Sequence, residues 1–315
     1  MSGLIEIFRK EITDFINSKR FIILLLLVYL LGIATIMFAS QFIRSSVTDT
    51  TVFIFLKLFL AVDPNNPSGE LFLFVISVVI PVIGMTLGFD AVSSEKTSGN
   101  LSRLLSHPVY RDSVINGKFL AGLLAIAIMV VSLVLLIGGL GLRMIGVPPM
   151  PEEVYRLMTF VAVTVLFGAF WLALSILFSV VSGKSSTAIL ACLAIWFFFF
   201  LYTRFNIPYL IATSVFPVDL NSAADAVART SNLYTGLNLI SPISLYESSV
   251  MYILSPSHPF IMAASMQYTG LEPLPLPFGQ SLLLVWPQLV CLVALTAICF
   301  AIAYINFMRQ EIRAT

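Results

Sequence analysis

The chain has 315 residues, 59% of them hydrophobic and 10% charged, with a net charge of +1 from 17 basic and 16 acidic side chains. Soluble domains carry about 25% charged and 45–50% apolar residues, so a soluble fold of this size would lack the charges to cover its surface. High hydrophobicity excludes disorder, and the missing basic footprint argues against nucleic-acid binding; the remaining class is an all-α polytopic membrane protein.

Residues 1–20 read MSGLIEIFRKEITDFINSKR. Leu4, Ile5, Phe8, Ile12, Phe15 and Ile16 recur at helical spacing, against a polar face of Glu6, Arg9, Lys10 and Asp14. A basic amphipathic helix directly before a membrane span is expected to lie in the headgroup plane. A bilayer core about 30 Å thick needs about 20 apolar residues per helix. Six segments qualify: 21–42, 71–89, 119–142, 158–181, 187–203 and 281–308. The first is read as a retained span, because it exceeds the roughly 7–15 apolar residues of a cleavable signal and its flank holds acids as well as bases.

Between the first two spans, TVFIFLKLFLAV at 51–62 reaches only ~18 Å as a helix. It is expected to lie in the outer leaflet, ended by the turn DPNNPSG. The segment 90–118 joins spans two and three. In it, Gly99 can end one helix and Asn100 can cap the next. Leu101, Leu104 and Leu105 give a short apolar face, Pro108 stops it, and Asp112 or Ser113 can cap the start of span three. A short surface helix with an exposed leucine face needs a partner or must dip into the bilayer. The largest piece outside the spans is 206–280. There 221–240 reads as helix, Ser241-Pro242 as a turn, 244–254 as a short amphipathic helix and 256–280 as a Pro-rich extended stretch; the whole suits a cap, a gate or a passive linker.

Orientation follows from basic residues. With the N-terminus cytoplasmic, the inner segments hold 11 of the 17 Lys and Arg, and the outer ones hold Arg44, Lys57, Arg143, Arg156, Arg204 and Arg229. Both termini are therefore expected inside.

Several chemistries fail. None of the six segments contains Asp, Glu, Lys or Arg, whereas ion-coupled carriers place such ligands within the membrane. Ser182-Gly183-Lys184-Ser185 mimics the tail of a phosphate loop, but Phe178 stands where its first glycine belongs and no strand precedes it. The two histidines, His107 and His258, fall in loops on opposite sides, so no intramembrane catalytic set forms. Cys192, Cys291 and Cys299 lie in apolar runs without metal or disulfide spacing. His258, Met262 and Met266 are soft donors at i, i+4, i+8 that could suit Cu(I), although Met is also a common gap filler and Pro259 interrupts the run. Gly84 and Gly88 have the spacing that permits close helix packing or a protomer contact. Pro81 and Pro287 are expected to kink spans two and six.

The stretch from Glu95 to Lys118 resembles the signature of ABC transporter type-2 permeases. Glu95, Gly99, Leu101, Leu104, Leu105, Pro108, Val109, Arg111, Gly117 and Lys118 match it, with Asn100 where Thr or Ser is usual. Ser241 to Tyr246 is similar to the family's late outer segment. The branch it is most similar to includes permeases for multicopper-enzyme maturation, such as the one serving nitrous oxide reductase. This resemblance implies a plasma-membrane permease subunit of an exporter that pairs with a second copy, most simply as a homodimer. It implies two separate ATPase subunits carrying ATP and Mg, a lipid environment, no cofactor in this chain and no nucleic-acid partner. The 99–108 helix would be the coupling helix, the N-terminal helix a second contact, and Glu95 and Arg111 charged contacts at that joint. A scaffold or signalling subunit that engages an ATPase without transport is the alternative.

Overall fold

The computed structural model describes residues 2–46, 53–60, 62–63, 66–97, 110–146, 148–216, 224–255 and 276–309. Six of its helices are long and apolar enough to cross a membrane. They are α2 (Lys19–Ser46), α4 (Leu71–Gly88), α6 (Arg111–Ile145), α7 (Pro151–Val181), α8 (Ser185–Arg204) and α12 (Phe278–Arg309). The others are α1 (Ser2–Ile16), α3 (Ile54–Leu60), α5 (Ser93–Thr97), α9 (Ile207–Val215), α10 (Ala224–Asn238) and α11 (Pro242–Leu254). A short antiparallel hairpin, Val62–Asp63 with Asn66–Glu70, turns the chain into α4. The chain is an all-α polytopic membrane protein, with this small β turn among the described residues.

Helix α7 is the central post. It packs against α12 and α4 most extensively, and also against α6, α8, α11 and α3. Its start is well specified: Pro151 occupies the first turn, where its missing N–H costs nothing, and Glu152 and Glu153 put negative charge at the positive end of the helix. Glu153 is buried and serves two elements. Its carboxylate accepts from Met150 N at 2.7 Å and from Phe55 N at 3.0 Å, so it caps α3 as well. Phe59 of α3, Phe72 of α4 and Phe160 of α7 then form a triangle of rings with centroids 5.7–6.2 Å apart.

Glycine permits a close crossing of α4 and α7. A Cβ on Gly84 would stand 2.9 Å from the Gly168 carbonyl oxygen and one on Gly88 would stand 2.8 Å from Ser175 Cβ. These two glycines therefore lay α4 directly on α7 of the same chain.

Three stretches differ from the sequence reading. Helix α3 packs into the bundle rather than standing apart from it: Leu56, Leu58 and Phe59 are buried among α2, α4, α6 and α7, because apolar residues occur around it and Glu153 satisfies its first N–H groups. Helix α6 starts at Arg111 with Tyr110 as its N-cap, not at Asp112 or Ser113, so Gly117 and Lys118 lie within it. Helix α11 starts at Pro242, which begins the helix where the sequence suggested a turn. Ser241 caps it by accepting from Ser244 N at 3.3 Å. It is inserted into the bundle, with Tyr246 fully buried and stacked 4.3 Å from the Phe167 ring, its hydroxyl 3.0 Å from Thr164 Oγ1. Pro81 and Pro287 lie inside α4 and α12 without ending them.

Candidate functional site

Helix α1, the ends of α4 and α7, α5 and the start of α6 gather at one pole of the bundle. Gly99, Asn100, Leu101, Leu104, Leu105 and Pro108 lie outside the described residues, but their flanks Glu95 and Arg111 do not. Helix α5 is held by serines. Ser179 Oγ on α7 accepts from Val92 N at 3.0 Å and from Ser93 N at 3.1 Å, and Ser93 Oγ lies 2.7 Å from Ser185 Oγ on α8. The amide groups at the start of α5 thus find partners on the neighbouring helix pair.

Lys118 is the hub. Its Nζ donates to Glu95 Oε1 at 2.8 Å and to Glu11 Oε1 at 2.9 Å, and the side chain is 4% exposed. Glu95 comes from α5, Glu11 from α1 and Lys118 from α6, so one ammonium ties three elements. Lys10 adds a second positive charge 3.4 Å from Glu11 and 3.9 Å from Glu95. The pairing matters because an ionised group removed from water needs compensation. Next to the hub, Gly117 lets α1 press onto α6: a Cβ there would stand 2.8 Å from Ile7 Cγ2. The face α1 turns to the bundle includes buried Ile7 and Glu11, while Ile5 and Ile16 stay exposed. Arg20, at the start of α2, pairs with Asp90 at the end of α4 and lies 5.5 Å over the Phe89 ring.

Glu95 therefore makes its described ion pairs within this chain. The sequence signature includes Lys118 but gives it no partner, and Glu11 falls outside the polar face of Glu6, Arg9, Lys10 and Asp14. The available signal was an acid inside an apolar stripe, facing a base just ahead of an apolar run.

The opposite pole carries a second set of charges. Arg156 is fully buried on α7 and donates to Glu152 Oε1 (2.8 Å), Ile253 O (2.9 Å), Ser281 Oγ (3.1 Å) and Leu276 O (2.6 Å). Arg204 at the end of α8 pairs with Glu247 of α11 and lies 4.7 Å over the Phe74 ring. His258, Met262 and Met266 lie outside the described residues. Among the described residues, no group of three or more His, Cys, Asp and Glu could hold a metal.

A curated protein described as "Probable ABC transporter permease protein NosY", from Pseudomonas aeruginosa, is 30% identical over 126 residues, which is 39% of this chain and 45% of that protein. The chain thus spans about half the length of this relative. The profile of ABC-2 family transporter proteins matches residues 5–312. With six membrane-length helices and a match over nearly its whole length, the chain belongs to the ABC-2 family of transporter proteins.

Proposed function

We propose that this chain is the transmembrane permease subunit of an ATP-driven exporter, working as a homodimer with two separate ATPase subunits. In this reading the ATPases sit at the pole of α1, α5 and the start of α6, which faces the cytoplasm with both termini. Residues 99–108, with Leu101, Leu104 and Leu105, dock on an ATPase as a coupling helix. ATP and Mg belong to that partner, and the present chain is not itself an enzyme. The relative's name and the family support this assignment.

One observation carries the mechanism. Lys118 clamps Glu95 to Glu11, so the two flanks of 98–109 and the N-terminal helix form one unit. A push on a loop with free flanks would be absorbed by local bending. Here both flanks are hydrogen-bonded into helices: α5 to the α7–α8 junction through Ser179 and Ser185, and α6 to α1 through Lys118. Displacement of the loop would move α4, α6 and α1 together, a two-position element that ATP binding in the partner can bias.

The test is purification of the full chain from detergent-solubilised membranes, with identification of copurifying proteins and an ATPase assay. A stoichiometric, vanadate-sensitive ATPase is expected, released by Leu104→Asp with Leu105→Asp while the permease stays in the membrane. A chain that comes out alone and inert, or a double variant that keeps its ATPase, overturns the reading. Substrate-stimulated turnover in vesicles separates transport from a scaffold role.

A further inference from the structure

Helix α1 does not lie flush on the bundle. An open groove of about 510 Å³ runs between it, α6 and α7, lined by Ile5, Phe8, Leu120, Leu124, Ala127 and Val165 among others, all apolar. Ordered water needs two to four polar partners, and this lining offers none. The groove opens where Ile5, Leu120 and Leu124 are exposed, the side that apolar residues of a membrane protein turn to lipid. Its occupant is therefore hydrocarbon.

A charge lies beside it. Arg9 follows Ile5 by one helical turn, which puts it on the adjoining edge of α1. Arg9 is exposed and makes no ion pair among the described residues. The neighbouring base Lys10, by contrast, is held by Glu11 and Asp14. An unpaired guanidinium at the rim of an apolar groove matches a phosphate above an acyl chain.

We propose that this groove binds one anionic glycerophospholipid, with an acyl chain along α6 and its phosphate on Arg9. The site rests on the membrane location of the chain and not on its coupling to an ATPase.

The test is native mass spectrometry of the purified full chain, released from detergent after exposure to equimolar phosphatidylglycerol and phosphatidylcholine with identical acyl chains. One retained phosphatidylglycerol per chain is expected, favoured about fivefold over phosphatidylcholine. Arg9→Gln should equalise the two lipids. Ala127→Phe and Leu124→Phe, which fill the groove, should abolish retention of both. The proposal fails if the parent shows no preference, if Arg9→Gln leaves the preference intact, or if the filled variants retain the lipid. It also fails if filling the groove separates two protein copies without changing lipid retention, since the occupant is then a second chain. Arg9 is on the surface, so its substitution decides the question even where a groove-filling variant does not fold.

Discussion

Lys118 Nζ lies 2.8 Å from Glu95 Oε1, a contact that closes a chain separation of 23 residues. This pair makes a loop out of a segment that would otherwise join two helices as a free link. Glu11 then extends the contact to α1, at 2.9 Å and a separation of 107 residues. A lysine between two carboxylates is worth little as a stability device, because its burial penalty offsets much of its attraction. Its structural consequence is to fix which elements move together.

Removing the lysine should cost more than removing either acid. Lys118→Met leaves two carboxylates facing each other with only Lys10 nearby, and should destabilise the chain by about 3 kcal/mol. Glu95→Gln should cost less, since Lys118 keeps Glu11. Thermal unfolding in detergent measures both. A Glu95→Gln loss equal to or above that of Lys118→Met would show that Lys118 is not the hub.

The crossing of α4 on α7 offers a sharper contrast. Gly84→Ala places a methyl 2.9 Å from a backbone carbonyl oxygen, which cannot yield by changing rotamer, and should cost about 1–3 kcal/mol. Gly139→Ala on α6 meets nothing within 4 Å and should be neutral or slightly stabilising, by up to about 1 kcal/mol, through helix propensity. Equal effects from the two would argue that α4 and α7 do not approach this closely.

At the other pole, Arg156→Gln removes a fully buried guanidinium and leaves the Ile253 and Leu276 carbonyls short of a donor. A loss of about 3 kcal/mol is expected, together with easier proteolysis of the chain between α11 and α12. Unfolding reads the first, and limited chymotrypsin digestion reads the second, since residues 255–277 hold Phe260 and Tyr268 but no Lys or Arg. Arg156→Lys should restore only part, since a single ammonium cannot span partners on three elements.

Topology can be checked at two exposed tyrosines. In a background where Cys192, Cys291 and Cys299 are alanine, Tyr110→Cys should react with a membrane-impermeant maleimide only from the cytosol, and Tyr209→Cys only from outside. Tyr110 is 80% exposed and Tyr209 is 52% exposed, so the fold itself occludes neither position. Labelling in the reverse sense would invert the proposed orientation.

The six spans were legible because a bilayer demands uninterrupted apolar runs of one length, and nothing else in the chain has that length. What escaped is instructive. The run SLYESSVMYIL looked like a surface amphipathic helix because of its serines and Glu247. In the fold those serines bond back within the helix, Ser248 Oγ to Ser244 O and Ser249 Oγ to Leu245 O, both at 2.7 Å. Glu247 is matched by Arg204. Polar residues that satisfy themselves locally carry no sequence signature of exposure. Arg156 reads as an outer-loop base for the opposite reason: its acceptors are main-chain carbonyls about 100 residues away in sequence, invisible to periodicity. Glu11 and Lys118 are the recoverable case, since each interrupts an apolar pattern and their charges are opposite.

The acceptors of Arg156 also set an order of events during synthesis. Ile253, Leu276 and Ser281 all emerge from the ribosome long after α7 does. Until they arrive, that guanidinium has only Glu152 and water, and the end of α7 that carries it has to remain hydrated at the bilayer surface. The hydrogen-bond set of Arg156 is therefore complete only once α11 and α12 are both in place. A chain truncated before Leu276 would leave that guanidinium without two of its four partners.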